Sequence, residues 1–269
     1  MNVVSFPGLN LKFEFSKIAF EVFGVAIYKY AICIVLGIFI ALFLCKINKE
    51  KFDVDYDFIL ENIVLGVFVG IIGARLYYII FNFDYYSNNF SEVLNFRNGG
   101  VAIYGGLLFG AIAIIINCKI HKKDVLNLFD CIIPYVAIAQ CVGRIGNFFN
   151  IEAYGYETTS ILRMGIFVAN EYMEVHPTFL YESTATFIIS IILMLKQRKR
   201  KYKGQILLTY GILYGMIRFI IEGMRSDSLM FFNLRISQIL SAIILMVSTI
   251  AMITKKINNN AVSKVKKIK

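Results

Sequence analysis

Charged side chains that lie inside apolar stretches of the sequence are the first candidates for chemistry. Arg218, Glu222 and Arg225 fall within one such stretch and at its edge. At 100° per residue they share one narrow face of a helix, so the glutamate can pair with both arginines. An arginine carries a permanent charge and a planar fork that fits phosphate oxygens, and burying a charge in a bilayer costs on the order of 2.5–3.5 kcal/mol. The stripe predicts either an anion-binding site or a self-contained ion-pair cluster at the membrane interface.

Two further polar positions occur among glycines. Arg144 follows Gly143, and Asn147 follows Gly146, which places the two polar side chains about one helical turn apart. The glycines permit the close approach either of a neighbouring helix or of a phosphate. Tyr104 lies in a second glycine-rich run, where small residues in a membrane helix favour close packing. Both positions are therefore candidates for a site and for helix packing.

Seven apolar stretches of about the length that spans a bilayer must position these residues. The chain of 269 residues is 58% hydrophobic and only 17% charged, which is atypical of a soluble domain. The stretches cover residues 21–45, 58–81, 99–117, 128–149, 179–195, 204–224 and 236–254. The sequence thus predicts an all-α fold, a polytopic integral membrane protein forming a single membrane domain over 1–269. The polar connection 150–178 is long enough for a small external arm or loop.

The distribution of positive charge predicts the orientation of these spans. Of the 28 Lys and Arg residues, 18 lie after the first, third, fifth and seventh spans, and six lie in the alternate segments. The positive-inside rule then places the N-terminus outside and the C-terminus in the cytoplasm. On this topology the polar residues gather in the outer half of the membrane. Membrane topology therefore accounts for most of the net charge of +10, and no nucleic-acid partner is needed to explain it.

Cysteine and histidine usage argues against a metal site. The five cysteines form no CxxC pair, and the two histidines, His121 and His176, are not at ligand spacing. We expect no metal and no organic cofactor.

Several of these strings, in this order, resemble prolipoprotein diacylglyceryl transferases. GRIGNFFNIEAYG at 143–155 looks like the signature segment of that family. HPTFLYES at 176–183 and YGMIRFIIEGMRSD at 214–227 are similar to its later helices, and IGARLYY at 72–78 and the glycine-rich run 99–110 to its earlier ones. The resemblance covers nearly the whole chain.

The resemblance implies a bacterial enzyme of the cytoplasmic (plasma) membrane. It would transfer the diacylglyceryl group of phosphatidylglycerol to the thiol of the lipobox cysteine of a prolipoprotein, the first step of lipoprotein maturation. A thioether would form and glycerol phosphate would leave. The implied partners are phosphatidylglycerol, prolipoprotein signal peptides and membrane lipid.

This chemistry assigns roles to the candidate residues. Arg144 and Arg218 are expected to grip the lipid phosphate, because a phosphate leaving group needs its growing charge neutralised. Many family members have a histidine where this chain has Tyr104, so a histidine-base mechanism does not carry over, and Tyr104 is expected to position substrate or relay a proton. The expected substrate-binding residues are Tyr30, Arg75, Arg144, Asn147, Asn150, Glu152, Gly155, His176, Glu182, Glu222 and Arg225.

Two other interpretations stay open at this stage. A transporter would also gather arginines in the membrane, but it needs access from both faces and often shows related halves, and no repeat is visible here. A lipid-binding relative without catalytic activity is the second alternative, because of the tyrosine at position 104.

Overall fold

The computed structural model describes residues 2–48, 52, 54–95, 99–169 and 171–268. They fall into two compact units, one formed by Met1–Asn48 with Phe129–Lys269 and the other by Lys49–Leu128. The described part is mostly helical. Its α-helices are Lys29–Asn48 (α1), Tyr56–Phe81 (α2), Phe83–Asn88 (α3), Ile103–Ile120 (α4), Val125–Asn150 (α5), Thr178–Gln197 (α6), Gln205–Met224 (α7) and Ile236–Ile268 (α8).

Seven of these helices are long and apolar enough to cross a membrane. Within the described ranges they are all the helices except α3, and α8 contributes Ile236–Ile257. The prediction of a polytopic membrane protein with seven spans is therefore confirmed. The largest difference in position is at the first span, because α1 begins at Lys29 and not near residue 21.

Residues before α1 form a β-hairpin where the hydropathy pattern predicts helix. Ile18–Val22 (β3) pairs antiparallel with Val25–Tyr28 (β4) across a turn at Phe23 and Gly24. Both turn residues have positive φ, 49° and 74°, as in the two-residue turns whose twist matches that of the strands. Because apolar strand residues lead directly into an apolar helix, hydropathy alone merges the two elements.

The prediction of an all-α fold is wrong, because the unit that contains α1 also holds a four-stranded antiparallel sheet. Its order is β2–β1–β5–β6, with Asn2–Phe6 (β1), Leu11–Phe15 (β2), Met164–Val168 (β5) and Glu171–Val175 (β6). Two strands precede the first helix and two come from the predicted arm 150–178. Strands of five residues are too short to give a strong periodic signal beside the membrane spans. A two-stranded ribbon, Met230–Phe231 (β7) with Leu234–Arg235 (β8), connects α7 to α8.

The sheet buries one face against helix ends. Its core consists of Val4, Phe6, Phe15, Ala153, Met164, Ile166, Val175 and Phe179. Phe148 and Phe149, at the end of α5, pack against this core, and Phe179 belongs to the first turn of α6. The sheet therefore covers the C-terminal end of α5 and the N-terminal end of α6, where the sequence places several candidate site residues.

A buried carboxylate positions the beginning of α7. Asp130 is fully buried and accepts hydrogen bonds from the backbone N–H groups of Gly204 (2.7 Å), Ile206 (2.9 Å) and Leu207 (2.9 Å). Helix N-termini leave such donors unsatisfied and favour negative charge. The Asp130 side chain thereby links α5 to the helix that carries Arg218.

In the unit Lys49–Leu128, the glycine-rich run brings α4 against α2. A Cβ atom added to Gly110 would lie 2.8 Å from the carbonyl oxygen of Gly66, and one on Gly105 would lie 2.6 Å from that of Gly73. These positions accept no larger residue without separating the helices. The glycines of this run therefore serve close helix packing, one of the two roles predicted from the sequence.

Candidate functional site

A buried carboxylate, Glu182 in the second turn of α6, lies at the centre of the site. The residue is 2% exposed, and its side chain contacts both α5 and α7. Arg144 of α5 contacts Glu182 Oε1 at 2.8 Å, and Arg218 of α7 contacts Oε2 at 2.7 Å. The hydroxyl of Tyr214 donates to Oε1 at 3.1 Å. One carboxylate therefore holds two guanidinium groups from different helices side by side.

A second buried carboxylate secures Arg218 from its own helix. Glu222, also 2% exposed, lies 2.6 Å from the Arg218 guanidinium and 4.0 Å from that of Arg225. The contact at 2.6 Å joins residues i and i+4 on one helical face, as the spacing of the stripe predicts. Arg218 is thus held by Glu182 on one side and by Glu222 on the other. We call Arg144, Glu182, Arg218 and Glu222 the arginine cluster.

The arginine cluster retains capacity for an anion. A guanidinium has five N–H donors. Among the described residues, Arg144 bonds to Glu182 and Tyr214, and Arg218 to Glu182 and Glu222. Each arginine therefore keeps donors that a phosphate oxygen can accept, and the fixed carboxylates keep both forks oriented before any ligand arrives.

The end of α5 forms a polar corner next to a cavity. The side-chain amides of Asn147 and Asn150 both donate to Glu152 Oε1, at 2.8 and 3.1 Å. Ile151 and Ala153 have positive φ, 53° and 55°, which turns the chain sharply on either side of Glu152. The corner opens on a cavity of about 520 Å³ lined by Lys17, Tyr28, Tyr30, Ala31, Asn150 and Glu152. Of the predicted residues, it brings together Tyr30, Asn150 and Glu152.

Gly155 lies where three segments converge. Its backbone N–H donates to the carbonyl of His176 (2.8 Å), and it pairs with Arg225 as an isolated bridge. A Cβ atom here would lie 2.9 Å from the Cβ of His176, so the site admits only glycine without a shift. The His176 ring in turn is 3.2 Å from the hydroxyl of Tyr181. The contacts of both residues join the sheet to the ends of α6 and α7.

Arg225 forms an ion pair with Asp227, a residue that the sequence analysis did not single out. Its guanidinium donates two hydrogen bonds to the Asp227 carboxylate, both of 2.9 Å. Burial alone would raise the pKa of Asp227, but the hydrogen bonds and positive charge of Arg225 outweigh it and hold the pKa below its ordinary range. These contacts fix the Arg225 side chain at the end of α7, beside Glu222.

Arg75 and Tyr104 belong to the other unit, Lys49–Leu128. The buried Arg75 guanidinium donates to four carbonyl oxygens, those of Glu92 (2.5 Å), Val93 (3.0 Å), Gly99 (2.8 Å) and Gly100 (2.9 Å). Its described contacts hold the connection between α3 and α4, so they give no support to the predicted substrate role. Tyr104 lies in the first turn of α4 and is half-buried.

Sequence reasoning missed some residues for different reasons. Tyr214 belongs to the polar group that the sequence places in the outer half of the membrane, but it was given no role in the site, although it lies four residues before Arg218 on the same helical face. Lys17 and Tyr28 reach the cavity from the hairpin region, and no local spacing connects them with Glu152. Among the described residues, no group of three or more His, Cys, Asp or Glu side chains is arranged to hold a metal ion.

Comparisons with known proteins show which family the sequence matches. Residues 17–254 match the family model described as prolipoprotein diacylglyceryl transferase. A phosphatidylglycerol–prolipoprotein diacylglyceryl transferase of Clostridioides difficile is 41% identical over 246 residues, which covers 91% of this chain and 98% of the relative. Proteins of the same name from Finegoldia magna and Clostridium novyi are each 39% identical, covering 89% and 93% of this chain and 96% and 99% of their own.

Proposed function

The chain belongs to the prolipoprotein diacylglyceryl transferase family, and we propose that it carries out the family reaction at the arginine cluster. It is a transferase of lipoprotein biosynthesis and a multi-pass membrane protein. Its substrates, as the names of its relatives indicate, are phosphatidylglycerol and a prolipoprotein. The acceptor is the thiol of the lipobox cysteine. The thiol loses its proton, a C–S bond forms at the glyceryl carbon, and the bond between that carbon and the phosphate ester oxygen breaks, so that glycerol phosphate leaves with the electron pair. The products are the thioether, glycerol phosphate and one proton.

The observation that carries this proposal is the pair of guanidiniums on one buried carboxylate. Arg144 and Arg218 contact Glu182 at 2.8 and 2.7 Å, so their positive charges are close enough to face a single phosphate. Negative charge grows on that phosphate as the C–O bond breaks. Removing one well-placed electrostatic donor commonly costs about 3 kcal/mol, or roughly 10²–10³ in rate. Two such donors account for a large part of the acceleration that a reluctant leaving group needs.

Glu182 and Glu222 are positioning residues in this mechanism. Two half-buried arginines held this close would repel each other and lose part of their hydration, and the two buried carboxylates offset both costs. Because each guanidinium retains donors for an incoming oxygen, the lipid phosphate binds beside the carboxylates without displacing them. The cluster is thus organised before the substrate arrives.

The cavity beside Glu152 is proposed to hold the glycerol head of phosphatidylglycerol. Its lining combines hydroxyl, amide, carboxylate and ammonium groups from Tyr30, Asn150, Glu152 and Lys17. Such groups donate to and accept from the hydroxyls of glycerol. Asn147 supports this wall by its 2.8 Å hydrogen bond to Glu152.

The thiol is expected to enter as the neutral form, since a free cysteine has a pKa of about 8.5. The positive field of the arginine cluster raises the thiolate fraction. We assign Tyr104 a positioning or proton-relay role, because a tyrosine is a poorer base than the histidine common at this place in the family.

We further propose that the sheet and the arginine cluster face the outside of the cytoplasmic membrane, with the N-terminus outside and the C-terminus in the cytoplasm. The 18-to-6 distribution of Lys and Arg supports this orientation. The sheet packs on the C-terminal end of α5 and the N-terminal end of α6, the two ends that this topology places outside.

The proposal is tested by reconstituting the protein with labelled phosphatidylglycerol and a signal peptide that bears a lipobox cysteine. Mass spectrometry then measures the diacylglyceryl thioether on that cysteine. We expect product from the wild type, a loss of at least 10²-fold for Arg144→Ala and Arg218→Ala, and little change for Arg198→Ala, an exposed arginine after α6. Full turnover by Arg144→Ala would show that the phosphate is bound elsewhere. Lipid binding without product in the wild type would identify a binding-only relative.

A further inference from the structure

The outer edge of β6 is only partly covered. On one side, β6 pairs along its length with β5. On the other side, residues 155–158 run beside its C-terminal end only, where Thr158 N–H donates to Glu174 O (2.9 Å) and His176 N–H donates to Tyr156 O (3.0 Å). Glu157 and Val175 form the bridge between the two segments.

The covering segment leaves the strand after Thr158. The Ser160 N–H donates to Thr158 Oγ1 (3.2 Å), which turns the chain away from β6, and the chain then continues to β5. Among the described residues, no strand lies beside Glu171–Met173 on this edge. Backbone groups alternate sides along a strand, so Tyr172 directs its N–H and C=O to the same side as Glu174 and His176.

A notch of about 690 Å³ lies at this uncovered edge. Its lining consists of Glu157, Thr158, Thr159, Tyr172, Met173 and Glu174. We call it the edge notch. It is walled by two glutamates and two threonines, and the Glu174 carboxylate is held by Arg163 (2.5 Å) and by the Tyr172 hydroxyl (3.1 Å). Such a wall suits a hydrated polypeptide and is poorly suited to an acyl chain.

We propose that the edge notch binds the part of the prolipoprotein that follows the lipobox cysteine, as a short extended strand added to β6. This inference rests on the proposed function. Strand addition recognises the peptide backbone, so it accepts substrates of different sequence that share only the cysteine and its signal peptide. Glu157 favours neutral or basic residues in the bound segment over acidic ones, whereas Arg163 already balances the charge of Glu174.

Chain continuity connects the edge notch with the arginine cluster. Gly155 bridges to Arg225, whose guanidinium lies 4.0 Å from Glu222 in the cluster. From Gly155 to Thr158, an extended chain covers about 10 Å. A substrate whose cysteine is at the cluster therefore reaches the notch within several residues. On the proposed topology this is also the side of the membrane on which the segment after the cysteine lies.

The test uses two peptide substrates with the same signal sequence and cysteine. One ends two residues after the cysteine, and the other continues for ten more uncharged polar residues. In the wild type we expect a KM for the long peptide roughly tenfold below that for the short one, the effect of about two net backbone hydrogen bonds. Equal KM values for the two peptides would overturn the proposal.

Two variants then locate the effect. Tyr172→Pro removes the N–H on the open edge without touching a ladder hydrogen bond to β5, and Thr159→Trp fills the notch from an exposed position. Thr159→Trp is expected to raise the KM for the long peptide to that for the short one, and Tyr172→Pro to raise it about threefold, because the proline removes one of the two hydrogen bonds. In both variants we expect kcat and the short-peptide KM to stay unchanged. Tyr172→Phe is the matched control that keeps the backbone donor.

The outcomes separate this inference from the proposed function. Arg144→Ala should suppress transfer to both peptides, whatever happens at the notch. If Thr159→Trp raises the KM for both peptides equally, or leaves the long-peptide KM unchanged, then the edge notch does not bind the substrate, although the arginine cluster still performs the transfer.

Discussion

An ion pair of 2.7 Å joins Glu182 of α6 to Arg218 of α7, and it is buried at the centre of the candidate site. The same carboxylate accepts Arg144 from α5 through its other oxygen. The three helices therefore meet through one negative charge, and the order of the site depends on it. Because breaking a buried pair leaves an uncompensated charge, this contact matters for stability as well as for activity.

Glu182→Gln keeps the size of the side chain and removes its charge. We expect turnover to fall at least tenfold and the free energy of unfolding to drop by about 3 kcal/mol, because two half-buried arginines lose a counter-charge. The rate of thioether formation measures turnover, and thermal unfolding in detergent measures stability. Glu21→Gln, at an exposed position of the hairpin, is the control. Wild-type values for both quantities would show that the cluster does not depend on Glu182.

Arg218→Lys asks whether the planar fork of the arginine is needed. Arg218 reaches Glu182 and Glu222 with two different nitrogens, at 2.7 and 2.6 Å, and a lysine has only one. We expect the protein to fold, since the charge is retained, and kcat to fall about 10²-fold. Arg198→Lys should change neither. A kcat near that of the wild type would show that Arg218 acts only through its positive charge.

Local spacing predicted the parts of the site that lie on one helix. The pairing of Arg218 with Glu222 follows from their separation of four residues, and the seven spans follow from the length of the apolar runs. The pairing of Arg144 with Glu182 joins residues 38 positions apart on different helices, and no periodicity indicates it. Spatial proximity of that kind depends on how the helices pack.

The sheet was missed for a related physical reason. β1 pairs with β5 through Ser5 and Gly165, which lie 160 residues apart, so the sheet is a long-range structure built from short strands. Its alternating pattern is weak beside that of the membrane spans. The start of the first span was misplaced because Phe23 adopts a positive φ, a turn conformation that is rare for a bulky residue.

Lys17→Ala tests the cavity beside Glu152. Lys17 lines that cavity together with Tyr30 and Asn150, and its ammonium group can donate a hydrogen bond to a hydroxyl of the glycerol head. We expect the KM for phosphatidylglycerol to rise about tenfold with kcat nearly unchanged, the equivalent of one charge-assisted hydrogen bond. The matched control is Lys12→Ala, since Lys12 is exposed and pairs with Glu14. An equal, small effect of both variants would place the head group outside this cavity.

Acid should weaken the end of α7 through Asp227. The pKa of this carboxyl is lowered from its ordinary 3.8, so its contribution to stability is present above that value and is lost as the pH falls through the lowered pKa. We expect the unfolding temperature of the wild type to fall below about pH 3.8 more steeply than that of Asp227→Asn. Parallel curves from pH 5 to pH 2.5 would show that the pair with Arg225 does not contribute to the acid dependence.

Substitution of Arg75 tests two roles, the substrate binding predicted from sequence and the support of the α3–α4 connection that its contacts indicate. Its guanidinium donates to four carbonyl oxygens between Glu92 and Gly100, so Arg75→Ala should leave these acceptors without their donor and loosen the connection between α3 and α4. We expect limited proteolysis to cut this connection at least tenfold faster than in the wild type or in Arg198→Ala. Arg75→Lys should restore little, because one ammonium cannot reach four carbonyls in the geometry of the planar fork. If cleavage is unchanged while the KM for phosphatidylglycerol rises, Arg75 binds the lipid, as the sequence predicts. Faster cleavage with an unchanged KM makes it an organiser of the loop.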